Sequence, residues 1–278
     1  MMKWLIGIMI AVAILALLYL AMIMPALRHK PQEKELRKWI YAHRGLHDNN
    51  TNAPENSMAA FRKAVEAGYG MELDVQLSKD KVPVVFHDMH LKRICGVEGR
   101  VCDYTFEELQ QFRLCDTEEK IPAFSEVLEM VNGRTPLIVE LKTETADVSV
   151  CPIADKFLER YKGLYCIESF NPFALHWYRT KRPKVVRGQL SDAFIKSGEY
   201  RGPSYLILQG LLLNFVSKPN FVAYNCRYPN TLSRKICHGL FHNMAVAWTV
   251  KSAEQLETLR GPFDLFIFEG FMPTQQNG

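Results

Sequence analysis

The chain has 278 residues, 48% of them hydrophobic, and a formal net charge of +4 at neutral pH. That length suits one apolar N-terminal segment and one domain of about 240 residues, large enough to bury a substantial core. Beyond residue 38 the 28 basic and 28 acidic side chains cancel, and so neutral a body lacks the basic footprint that nucleic-acid binding requires.

In chain order the first element is an apolar run, Trp4 to Leu27, without a charged side chain. As a helix it reaches about 36 Å, enough for a hydrocarbon core of about 30 Å. A buried core helix rarely stays apolar on every face for so long. A cleaved signal would carry a shorter apolar stretch, about 7–15 residues, followed by a small-residue cleavage site. Residues 1–27 therefore read as a retained single-pass anchor and residues 28–38 as a basic juxtamembrane linker. Arg28, Lys30, Lys34, Arg37 and Lys38 outweigh Lys3, which by the positive-inside rule places the following domain on the cytoplasmic side. The seven cysteines, odd in number and without small-domain spacing, agree with a reducing compartment.

Residues 39–278 read as one domain. Apolar runs at 39–43, 71–75, 137–141, 164–168, 184–188, 221–224, 244–248 and 264–268 predict eight strands. Helical signals alternate with them: Asn56-Ser57 caps a helix through Ala67, and Thr105 opens another with capping-box spacing. Ser125–Val131, Asp147–Tyr161, Pro172–Thr180, Thr231–Leu240 and Ser252–Arg260 follow. Eight such units imply a (β/α)8 TIM barrel, and the open doubly wound alternative lacks a Gly-rich loop after its first strand. Between Val75 and Phe86 the polar Lys79-Asp80-Lys81 predicts a small hairpin insertion after strand two. Centred between Asp80 and Lys81, it sets His87 opposite Asp74. The apolar run Tyr205–Val216 is too short to span a bilayer. It predicts a buried helix, with a rim flap facing the membrane or an acyl chain as the alternative.

Five short motifs carry the chemistry. They are Ala42-His43-Arg44-Gly45, Pro54-Glu55-Asn56-Ser57, Glu72-Leu73-Asp74, Val84-Val85-Phe86-His87-Asp88 and Val139-Glu140-Leu141-Lys142. Period-two alternation puts Glu72 and Asp74 on one strand face, and Glu140 and Lys142 on another. Three carboxylates at a barrel rim repel one another and suit a hard cation with oxygen ligands. Two imidazoles with pKa values near neutrality suit proton transfer. Each residue alone has a bland reading: a lone histidine at a strand end is more often structural, and Glu140 could merely pair with Lys142. His47, His90, His176, His238 and His242 lie outside any such arrangement and read as structural or surface residues.

Together, from His43 to Trp248, the ordered motifs resemble the glycerophosphodiester phosphodiesterase family, the TIM-barrel type of phosphodiesterase. Ser169-Phe170 and Trp248-Thr249-Val250 are similar to that family too. The resemblance implies one divalent metal, Ca²⁺ or Mg²⁺, on Glu72, Asp74 and Glu140, with His43 and His87 as general acid and base. It implies metal-dependent hydrolysis of glycerophosphodiesters to an alcohol and glycerol phosphate. Arg44 and Lys142 suit the phosphate, and Trp248 lines the glycerol pocket or packs in the core. Glu55 and Asn56 support the site from behind. Two alternatives stand beside this reading: a phospholipid or lysophospholipid phosphodiesterase at the membrane surface, and a catalytically silent membrane-tethered binding domain. The sequence departs from the family at its last strand, where Phe268-Glu269-Gly270-Phe271-Met272-Pro273 replaces the common Thr-Asp-x-Pro and leaves the last rim loop open.

Overall fold

The computed structural model describes residues 2–143, 147–198 and 202–274. Eight parallel strands close into a barrel: β1 (Tyr41–Ala42), β2 (Gly70–Leu77), β4 (Leu137–Leu141), β5 (Tyr165–Ser169), β6 (Arg187–Ser191), β7 (Phe221–Asn225), β8 (Met244–Val250) and β9 (Leu265–Phe268). Closure runs through β1, which pairs with β9 on one side and β2 on the other. A ninth strand, β3 (Pro83–Val85), lies antiparallel on the end of β2. The predicted barrel is therefore the observed one.

Two layers of core follow from strand alternation. Inward-facing Tyr41, Ile138, Cys166, Phe221 and Met244 fill the barrel, while outward-facing residues such as Leu73, Val139 and Ile167 pack under the helices. Strand β6 lies three residues beyond its expected position. The apolar pair Val185-Val186 drew the expected strand early, but the strand proper begins at buried Arg187 and runs to Ser191. Its guanidinium is satisfied by the carbonyls of Ser217 and Lys218, at 2.9 and 2.6 Å.

The hairpin register differs from expectation by one residue. Val75 pairs with Val85 and Gln76 with Val84, so Phe86, not His87, lies opposite Asp74. The loop is three residues, Lys79-Asp80-Lys81, closed by Ser78 against Val82, with Lys81 left-handed at φ 64°. An odd loop with a left-handed last residue centres the turn on Asp80.

The run Tyr205–Val216 is not one buried helix. It divides into Pro203–Gln209 and Asn214–Ser217, broken at Gly210 and left-handed Leu211, and the first piece buries no residue. It lies at the rim: Ser191 Oγ donates to the Leu208 carbonyl at 2.9 Å, and the Tyr224 hydroxyl to that of Gln209 at 3.4 Å. Leu206 and Ile207 point to solvent.

The apolar N-terminal run forms helix α1 (Met2–Ile23), exposed along nearly its whole length and buried only at Ile23. Within residues 28–38 lies a second helix, α2 (Pro31–Leu36), which caps the base of the barrel. Leu36 is fully buried among Tyr41, Val186 and Ile267, the Tyr41 hydroxyl donates to its carbonyl at 3.0 Å, and Lys30 donates to the Val185 carbonyl at 2.6 Å. Leu36→Ala should therefore destabilise the whole barrel, by about 2–5 kcal/mol. Urea unfolding of the full chain checks this, and a change within measurement error would mean that α2 is not part of the core.

Candidate active site

The site is built where the strands end. At the end of β1 the backbone turns sharply, with Arg44 at φ 54° and Gly45 at φ 81°. A Cβ on Gly45 would lie 2.9 Å from the Ala60 carbonyl carbon, so only glycine lets this turn pack on the helix Met58–Glu66. The turn aims the Arg44 backbone N–H at Glu72 Oε2, 3.0 Å away, and swings its guanidinium onto Glu55 at 2.6 Å. Asn56, also left-handed at φ 56°, donates from Nδ2 to Asp74 Oδ2 at 2.9 Å. The motifs at 42–45 and 54–57 thus serve as a scaffold for the carboxylates of β2.

Glu72, Asp74 and Glu140 converge as the alternation requires, each buried, with one oxygen from each lying within 4.8 Å of the others. Lys142 reaches between two of them, its Nζ 3.1 Å from Asp74 and 2.9 Å from Glu140. Burial pushes the carboxyl pKa of Glu72 up, and the charges of Asp74 and Glu140 push it further. Burial also raises Glu140, against the opposing pull of Lys142. Asp74 is held well below the usual range: burial opposes this, but Lys142 and Arg44 outweigh it. A divalent cation fits this set, since three close oxygens from hard ligands gain most when a positive charge lies between them.

A fourth buried acid escaped the sequence reading. Glu168 pairs in register with Glu140 on the neighbouring strand, and its Oε2 finds no hydrogen-bond partner among the described residues. Burial and the charges of Glu140 and Asp74 raise its pKa well above normal. It lies in the segment Cys166-Ile167-Glu168-Ser169, where alternation alone marks it as inward-facing once the strand is recognised.

Both predicted histidines reach the rim, and each is braced at Nδ1 by a carboxylate. His87 Nδ1 lies 2.6 Å from Asp88 Oδ1, and Asp88 is held by Arg93 at 2.6 Å. Arg93 in turn grips Glu55 with two hydrogen bonds of 2.8 Å. Although burial raises it, these hydrogen bonds and the Arg44 charge hold the Glu55 carboxyl at about 2. His43 Nδ1 lies 2.6 Å from Glu269 Oε2, and Glu269 Oε1 lies 2.5 Å from Lys251 Nζ. Glu269 belongs to the divergent last-strand stretch, so the departure from the familiar ending supplies the partner of His43. Nothing in the local sequence showed this, because the contact exists only once β9 closes onto β1. His43 Nε2 faces inward, 3.9 Å from Glu72. Burial lowers its pKa to about 4, Arg44 adding to the effect and Glu269 opposing it.

Trp248 stands at the end of β8, half-buried and edge-on to Phe170 at 5.7 Å. Its Nε1 is buried without a hydrogen-bond partner among the described residues. The remaining histidines stay outside the site's machinery: His47 binds the His43 carbonyl at 2.9 Å, and His238 that of Asn243 at 3.2 Å.

The Glycerophosphoryl diester phosphodiesterase family matches over residues 43–260. The chain belongs to that family. A glycerophosphodiester phosphodiesterase of Caldanaerobacter subterraneus subsp. tengcongensis is 34% identical over 167 residues, 56% of this chain and 67% of the relative. One from Bacillus altitudinis is 38% identical over 128 residues, 44% of this chain and 51% of the relative. The matched stretches thus span about half to two thirds of these relatives. Among solved structures, an Oleispira antarctica phosphodiesterase in complex with the product sn-glycerol-3-phosphate superposes with a TM-score of 0.66 at 23% identity. It covers 83% of this chain and 92% of that one. The Thermotoga maritima glycerophosphodiester phosphodiesterase gives 0.62 at 25% identity, over 82% and 93%. The phosphoric diester hydrolase class expected from the motifs stands with this membership.

Glu269 partly offsets the effect of burial on His43. Because its charge raises the imidazole pKa, Glu269→Gln should move the His43 titration lower still, below about 4. Histidine NMR shifts followed against pH check this. An unchanged or higher value would show that the contact does not exist in solution.

Proposed function

We propose that the chain is a divalent-metal-dependent phosphodiesterase that hydrolyses glycerophosphodiesters to an alcohol and glycerol phosphate. The observation that carries the reading is the pairing of two carboxylate-braced imidazoles with one buried three-carboxylate cluster at a barrel rim. The product bound by the Oleispira relative supports glycerol phosphate as the retained half. Glu72, Asp74 and Glu140 would hold the cation, and an all-oxygen set favours Ca²⁺ or Mg²⁺. When bound, it would polarise the phosphoryl oxygens and offset their growing charge.

His43 serves as the proton acceptor. Burial keeps its ring neutral, and donation from Nδ1 to Glu269 leaves the Nε2 lone pair turned into the site. His87 serves as the proton donor to the leaving alcohol, its ring oriented by Asp88 at Nδ1. Arg44 and Lys142 bind phosphate oxygens: both stand at the edge of the carboxylate cluster with strong charge and little exposure. Trp248 walls the glycerol pocket, and Glu55 and Asn56 hold Arg44 and Asp74 in place.

Helix α1 is long and apolar enough to cross a membrane. We read it as a retained single-pass anchor with the barrel on the cytoplasmic side, which leaves a signal sequence as the competing reading. The exposed Leu206 and Ile207 at the rim favour a second substrate class, a lysophospholipid or phospholipid held at the membrane surface. A silent binding domain fits less well, since His43, Glu72, Asp74, His87 and Glu140 all occupy the site.

The test is release of choline and glycerol phosphate from glycerophosphocholine by the full chain in detergent, with EDTA and then with Ca²⁺ or Mg²⁺ restored. Chelation should stop turnover and metal should restore it. His43→Ala or His87→Ala should lower kcat by about 10²–10⁴-fold, and Glu72→Ala or Asp74→Ala should abolish it. Near-normal activity of either carboxylate variant would sink the metal reading. A folded chain inert with every metal on this substrate, yet active on lysophospholipid, would select the second class.

A further inference from the structure

We propose that the rim sector formed by the loops after β6 and β7, together with α1, is a membrane-docking surface. It holds the mouth of the barrel against a bilayer bearing anionic headgroups. The proposal rests on reading α1 as a membrane span, and three independent observations support it.

The first is the direction of α1. Its last carbonyl, on Ile23, accepts from Asn214 Nδ2 at 2.9 Å and lies 3.4 Å from Cys237 Sγ. One turn earlier, Tyr19 lies beside Ser233, itself one turn before Cys237 on the helix Leu232–Gly239. That helix descends from the rim to the base, as does every helix that follows a barrel strand. The end of α1 therefore descends beside it, and the chain continues down to Ala26, whose N–H meets the Pro219 carbonyl near the start of β7. Followed backwards, α1 leaves the body towards the catalytic end. Residues 2–18, all exposed, extend beyond the rim rather than below the base.

The second is what the rim shows on that side. Leu232 is 64% exposed, Leu206 56%, Ile195 42% and Ile207 38%. The pieces are tied together, Ile195 N–H donating to Gln209 Oε1 at 3.1 Å. The loop that carries β3 and His87 is instead polar at its surface, with Lys92 and Glu98 paired at 2.6 Å. Four exposed apolar groups thus gather in the sector α1 passes, while Phe173 after β5 and Met272 after β9 stand singly outside it.

The third is charge. Between Glu199 and Glu254 the sequence has no Asp or Glu and six Lys or Arg. This stretch supplies the flap Pro203–Gln209, β7 and the helix Leu232–Gly239, and Arg227 and Lys235 within it are exposed. The chain as a whole is nearly neutral, so the asymmetry is local. Exposed apolar groups flanked by Arg227 and Lys235, with Asp192 of the β6 loop engaged by Asn225, suit the interface of an anionic leaflet.

Helix Leu232–Gly239 supplies its own control, since Leu232 at its rim end and Leu240 just past its base end are 64% and 58% exposed. The full chain, with Cys95, Cys102 and Cys115 replaced by serine, is labelled with an environment-sensitive fluorophore at Leu206→Cys, Leu232→Cys or Leu240→Cys. Each is reconstituted into phosphatidylcholine vesicles containing phosphatidylglycerol and quenched with lipids carrying a nitroxide near the headgroup. Labels at 206 and 232 should shift to the blue and be quenched several-fold more than the label at 240. Equal quenching at all three, or stronger quenching at 240, overturns the proposal. Flotation with the vesicles tests the span separately: a chain that fails to float overturns the anchor reading and the docking with it. Neither readout depends on turnover, so the result stands apart from the substrate assignment.

Discussion

Repulsion among buried carboxylates is the constraint on which the rest of the structure depends. Asp74, Glu140 and Glu168 lie in register on neighbouring strands, with Glu72 one inward position earlier on β2, all buried in a closed barrel where unscreened like charges cost several kcal/mol. Protein cations offset only part of this. Lys142 serves two of the four, and Arg44 gives its backbone N–H to Glu72 and its side chain largely to Glu55. Burial, reinforced by the neighbouring carboxylates, raises the pKa of Glu72, Glu140 and Glu168, and at Glu140 the Lys142 ammonium offsets only part of it. A barrel that served stability alone would fill this layer with apolar side chains, as it does one layer below with Ile138, Cys166 and Val246.

Around that layer the two histidines are held in the same way by unrelated parts of the chain. His87 takes its carboxylate from the next residue, Asp88, so that pair is local and forms with the β2–β3 unit. His43 takes its carboxylate from Glu269, 226 residues away, so that pair forms only on closure of β9 against β1. Closure of the barrel and formation of the His43–Glu269 pair are therefore one event. The chain Arg44–Glu55–Arg93–Asp88–His87 then joins the two sides of the rim through hydrogen bonds of 2.6 to 2.8 Å. A displaced Arg93 would disturb both His87, through Asp88, and Arg44, through Glu55.

What was legible in the sequence was what local periodicity encodes. Alternation in Glu72-Leu73-Asp74 and Glu140-Leu141-Lys142 placed three carboxylates and a lysine on inner faces, and the structure brings them together. What was not legible depended on register or closure. One left-handed residue, Lys81, moved the hairpin centre by half a residue and exchanged His87 for Phe86 opposite Asp74. Glu168 looked like part of an ordinary apolar strand because its meaning comes from its cross-strand neighbour, Glu140. Tyr205–Val216 looked buried because hydrophobicity was the only signal; the break at Gly210-Leu211 and the contacts to Ser191 and Tyr224 show a rim piece instead.

The path between α1 and the barrel bears on how far orientation can be a property of the fold. A free linker of eleven residues would span about 18 Å and permit any attitude of the barrel to a membrane. Residues 24–38 are not free. Met24 accepts from Lys218 Nζ at 3.0 Å, Lys30 binds Val185 and Asn220, and Leu36 is buried in the base of the barrel. Each contact fixes part of the route from the flank to the base. The angle between α1 and the barrel is set by packing at its last turns, and cannot change without exposing Ile23 or stripping Asn214 from its carbonyl. The basic residues there have a structural use besides any electrostatic one, since the Lys30 ammonium is consumed by carbonyl and amide oxygens. A helix held at its end in this way carries its own direction over to the barrel, so in the proposed docking the contacts of Ile23 with Asn214 and Cys237 orient the mouth.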